Sequence, residues 1–125
     1  MSLSGWRVVY KQKFFRLALL ACGLLLLAGV LLVWFALFPA VESWRVVPLH
    51  YNIHIGVDKV GKWWELFIPS GIGVILTLLN AGYASIIWKR EKVIAYAAIV
   101  TAVVVDVLIL VHLIFLVHLN VTYYA

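Results

Sequence analysis

Apart from hydroxyls, the chain has a small stock of side chains that could bind a metal or move a proton. There are four histidines, one cysteine and five acidic residues. The ones that draw attention fall into two groups. His50, Asn52, His54 and Asp58 alternate with Leu49, Tyr51, Ile53, Ile55 and Val57. Asp106, His112 and His118 interrupt a long apolar run. The first group raises metal binding, and the second raises proton or ion relay.

Spacing weakens the metal reading. Strict alternation marks an extended segment with one apolar face. His50 and His54 would then stand about 13 Å apart along the strand. One ion could reach both only if the chain bent, which Gly56 permits. His50 and His54 are therefore weak metal candidates, and no metal or other cofactor is expected. The better expectation is a fixed polar loop. In it the His and Asn side chains satisfy backbone groups, the odd residues face the membrane or helix ends, and the run Gly56 to Lys62 forms a turn.

Asp106 is the most unusual residue. A carboxylate at the bilayer centre costs about 2.5–3.5 kcal/mol on insertion scales. It should face other helices or water, be neutral, or both. At about 1.5 Å per residue, an antiparallel neighbouring helix brings Leu76 or Thr77 to its depth, so Thr77 and Asn80 are the nearest polar partners. No Lys or Arg lies in the run to pair with it, which favours an interhelical hydrogen bond over a relay. Six residues correspond to about 600° of helical rotation, so Asp106, His112 and His118 do not share a face. His112 is expected to hydrogen-bond between helices, and His118 to be solvated.

The elements that position these groups follow from composition. The chain of 125 residues is 66% hydrophobic and 12% charged, against about half and a quarter in soluble domains. The fold class is an all-α membrane protein with three transmembrane helices and a short extended, β-like loop between the first two. Residues 14–38 form the first apolar run, longer than the about 7–15 residues of a signal-peptide core, so an uncleaved span is expected. Residues 66–88 and 93–119 form the second and third, each long enough to cross a bilayer. Residues 1–13 are a basic N-terminus that suits the membrane surface, 39–65 the loop, 89–92 a tight turn, and 120–125 a tail. The single cysteine, Cys22, excludes an internal disulfide. Ala95, Ala98 and Ala102 in span three, and Gly73, Ala81, Gly82 and Ser85 in span two, allow those helices to approach closely. Leu-rich span one has no comparable motif.

The net charge of +5 sits at the ends of the apolar runs, so it reads as topology rather than nucleic-acid binding. Arg7, Lys11, Lys13, Arg16, Lys89, Arg90 and Lys92 share one side, and Arg45, Lys59 and Lys62 the other. The positive-inside rule then puts the N-terminus in the cytoplasm, and the loop and C-terminus outside. Trp34, Phe35, Phe38, Trp63, Trp64, Trp88, Tyr123 and Tyr124 stand at the run ends, where aromatic rings prefer the headgroups.

The order Pro48-x-His50-Tyr51-Asn52, then Gly56, Asp58, Gly61 and Lys62, resembles a motif of small bacterial integral membrane proteins. It belongs to a domain of unknown function found in sporulation-delay-type toxin-immunity proteins, where it lies between the first two spans. Gly56 comes one place later than in that pattern, His54 is extra, and the immunity proteins are longer. The resemblance implies an extracytoplasmic motif engaged in recognition or protection at the bacterial inner membrane.

No phosphate-binding loop, zinc-protease helix or nucleophile elbow is present, so an enzyme is not expected. The leading expectation is a protein acting by contact, as an accessory subunit of a membrane complex or an immunity-like factor. Its partners would be the lipid bilayer and other membrane subunits or copies of itself. The alternatives are an oligomeric ion- or proton-handling component using Asp106, and a metal-binding protein using the loop histidines.

Overall fold

A computed structural model of the chain describes residues 4–41 and 46–124. Arg45, counted above among the loop's basic residues, lies outside them. A short helix α1 (Ser4–Val9) precedes the long helix α2 (Lys13–Val41). Strands β1 (Val47–Asn52) and β2 (Gly56–Gly61) follow, paired antiparallel. A single 3-10 turn (Trp63–Phe67) leads into α3 (Ile68–Ile87), and α4 (Lys92–Tyr124) completes the fold. Three of these segments are long and apolar enough to cross a membrane. The second begins with the 3-10 turn, and Pro69 sits in the first turn of α3, where its missing N–H costs nothing.

α4 is the central helix. It packs against both α2 and α3, which touch each other much less. Each helix buries one seam. In α2 the seam is Phe15, Ala18, Cys22, Leu26, Gly29, Val33 and Leu37, and in α4 it includes Ala95, Ala102, Asp106, Leu113 and Asn120. Steps of three and four residues keep such positions on one face of a helix. The α3–α4 contact uses small residues, with Ala81, Ala84 and Ser85 against Ala95, Ala98 and Ala102. Gly82 is not among them, since a Cβ there would meet open space.

Two apolar clusters divide the bundle. One, at the end near the α3–α4 turn, gathers Val9, Phe15, Cys22, Trp88 and Ile99. The rings of Phe15, Trp88 and Tyr96 close it, and the Lys92 ammonium lies 5.7 Å from the Trp88 ring centre. The other, at the hairpin end, gathers Val33, Leu37, Val47, Leu66, Leu113 and Leu116. The N-terminal segment is tied into the bundle, with α1 against α3 and Val9 fully buried.

Two boundaries differ from the sequence reading. Span three continues as helix through Tyr124, so 120–124 is not a tail. The added turns are held because Asn120 is buried and bonded to the hairpin. The run Gly56–Gly61 is a strand, not a turn. The turn lies earlier, at Ile53–Ile55, and is closed by Gly56 at φ +83°. A three-residue loop ending in a left-handed glycine is a common hairpin connection. The odd residues of the hairpin differ in how far the protein itself covers them, which leaves their expected membrane-facing role open. Leu49 is half-buried, but Ile53 and Ile55 at the tip are 81% and 73% exposed.

Candidate functional site

Among the described residues, polar side chains gather in the hairpin, at its junction with α4, and inside the bundle. In the hairpin, His50 of β1 and Asp58 of β2 face each other, with Nδ1 2.6 Å from Oδ1. This is a contact between polar side chains across two strands. Asn52 accepts a hydrogen bond from the His54 backbone N–H at 2.8 Å, an Asx-turn that sets the tip. So Asn52 serves the loop backbone as expected, while His50 is paired with a carboxylate instead. At the exit of β2, Glu65 accepts from the Lys62 N–H at 3.1 Å, which fixes the start of the 3-10 turn. Gly61 leaves room there, because a Cβ would lie 2.5 Å from Leu49 Cδ1 and 2.6 Å from Glu65 Oε2 and would push those side-chain ends aside.

The hairpin is anchored to α4. Asn120 Nδ2 donates to Pro48 O at 2.8 Å and to Leu116 O at 2.9 Å. Tyr124 donates its hydroxyl to Val46 O. Asn120 is fully buried, and Pro48, within the motif read from the sequence, is the residue it grips. Neither anchor is legible from run length, which ends the apolar span at residue 119. The available signal was an asparagine one helical turn before a tyrosine, at the end of an apolar run.

Inside the bundle, Thr77 of α3 donates to Asp106 Oδ2 of α4 at 2.8 Å. Asp106 is 1% exposed. Its Oδ1 has no hydrogen-bond partner among the described residues and rests against Gly73, where a Cβ would sit 3.0 Å away. Cys22 of α2 lies beside both Thr77 and Asp106, so all three spans meet at this carboxyl. Asn80 does not join them and donates to Leu76 O in its own helix. His112 is a correction. It points out of the bundle and is exposed, as is His118, because about 600° of rotation turns it away from the seam that holds Asp106.

None of these groups assembles a metal site among the described residues, where no three His, Cys, Asp or Glu side chains come together. Outside the spans, burial pushes the Tyr10 phenol above its ordinary value, partly countered by a hydrogen bond with Ser85. No family model, curated protein or solved structure matches the chain. The resemblance to the immunity-protein motif rests on residues Pro48 to Lys62 alone.

Proposed function

We propose that this membrane protein is non-enzymatic and acts by contact, as an accessory subunit of a larger envelope complex or as an immunity-like factor. The observation that carries this reading is the anchoring of the hairpin. Asn120 and Tyr124 fix its base to the end of α4, and the exposed pairing of His50 with Asp58 then stands on a rigid support. A recognition surface gains from such pre-organisation, because less freedom is lost on binding. The distribution of basic residues supports a bacterial inner-membrane setting with the N-terminus in the cytoplasm and the hairpin outside.

The test is photo-crosslinking in native membranes. A photoreactive residue at Lys59 on the hairpin should give a discrete protein adduct that disappears in the double variant His50→Ala/Asp58→Asn. The same residue at Leu79, exposed on α3, should give only diffuse lipid adducts. Absence of a discrete adduct from Lys59 and from a second hairpin site, Val60, would count against the contact reading.

A second reading is favoured by one observation, the unpartnered Oδ1 of Asp106. In an oligomer this oxygen would be part of an ion or proton path. Asp106→Asn decides it. Full function in this variant removes the relay, while loss of function with intact assembly supports it.

A further inference from the structure

β1 does not rise away from the helices. Val46, just before β1, is bonded to Tyr124 and Pro48 to Asn120, so later residues along this segment meet earlier residues of α4. Tyr51 continues the trend, sharing a cleft of about 270 Å³ with Phe115, His118, Leu119 and Thr122. Each strand residue advances about 3.3 Å, so the tip at Ile53–Ile55 lies further back toward the centre of α4 than Tyr51 does.

The depth of that level can be read from aromatic rings. Trp34 stacks on Phe38 with centroids 4.0 Å apart, and Trp63 and Phe67 extend the same cluster. Phe38 and Phe67 pack on the cluster that contains Leu113 and Leu116. Rings of this kind settle at the headgroup level of a bilayer. Tyr51 therefore reaches the headgroup zone on the lipid side of α4, where Phe115 and His118 are exposed. Two isoleucines, 81% and 73% exposed, occupy the part of the hairpin that goes deeper.

We infer that the hairpin is a membrane-dipping finger whose tip, Ile53 and Ile55, is buried in the same leaflet that α4 crosses at this end. Its occupant is lipid. Acyl chains and glycerol backbones cover the isoleucines, and the cleft beside Tyr51 admits a headgroup, with His118 and Thr122 offering hydrogen bonds. Lys59, in register with His50 on the base side of Tyr51, stays in water. This inference needs only that the three apolar helices cross a bilayer, and it does not depend on a contact function.

Nitroxide labels at Ile53→Cys, Ile55→Cys and Lys59→Cys test it in vesicles of phosphatidylethanolamine and phosphatidylglycerol. Cys22, fully buried, stays in place, and the unsubstituted protein serves as the labelling blank. At 53 and 55, collisions with oxygen should exceed collisions with a water-soluble nickel chelate several-fold, and at 59 the order should reverse. Chelate-dominated, water-like values at 53 and 55 overturn the inference. Values low for both agents at 53 and 55 also overturn it, since they place the tip against protein, a second copy included.

Discussion

At the scale of single residues, Thr77 and Asp106 show how a carboxyl is kept inside an apolar bundle. One oxygen accepts a hydrogen bond from Thr77, and the other rests on the bare α-carbon of Gly73. Interhelical hydrogen bonds in membranes average about 0.6 kcal/mol and reach about 1.7 kcal/mol. Thr77→Val should therefore lower bundle stability by about 0.6–1.7 kcal/mol, read by steric trapping in bicelles. Thr101→Val is the control. That hydroxyl is exposed and bonds to Ala97 O within its own helix, so its loss should change little. The pairing was legible in the sequence because the short 89–92 connection fixes the relative depth of the two helices. The direction of His112 was only half legible. Counting rotation separates it from Asp106, but nothing in the sequence says that no helix stands on its side.

At the scale of elements, the seam of α2 was hidden for a physical reason. In water, a helix shows its buried face by apolar periodicity. In lipid the outer face is equally apolar, so Phe15 to Leu37 carry no contrast with their neighbours. The small residues of α3 and α4 were readable because close packing demands small volume. Gly73 and Gly71 separate the two situations. A Cβ on Gly73 would lie 2.5 Å from Leu26 Cδ2 and 2.9 Å from Ile109 Cδ1, whereas one on Gly71 would meet open space. Gly73→Ala should thus cost about 1–3 kcal/mol through overpacking, and Gly71→Ala should be neutral or slightly stabilising. Thermal unfolding of the two variants in one detergent makes the comparison. The hairpin concealed itself differently. A three-residue loop preserves the odd–even alternation from Tyr51 to Val57, so one strand and a hairpin look alike. Asn52, which caps the tip, and Gly56, in its left-handed conformation, were the local marks of the turn.

At the scale of the molecule, α4 unites span and hairpin. Its 33 residues extend about 50 Å, against about 30 Å of bilayer core, and the surplus includes the hairpin's anchor. Asn120→Ala would leave the buried Pro48 carbonyl without its donor, at about 1–3 kcal/mol. Hydrogen exchange in residues 47–61 should rise roughly five- to hundred-fold, while exchange in the spans stays unchanged. Adding Tyr124→Phe should increase the effect. The three-span layout was legible from run length alone, whereas this coupling, spanning 72 residues between Pro48 and Asn120, left no local trace. It also sets an order of events in biosynthesis. The hairpin leaves the ribosome two helices ahead of the residues that hold it, so its strands must pair, or wait, without support. Docking can follow only after α4 has been inserted and the turns that carry Asn120 and Tyr124 have emerged. Until then the hairpin lacks the two bonds that hold its base, so resistance of residues 47–61 to added protease should appear only once α4 is in place.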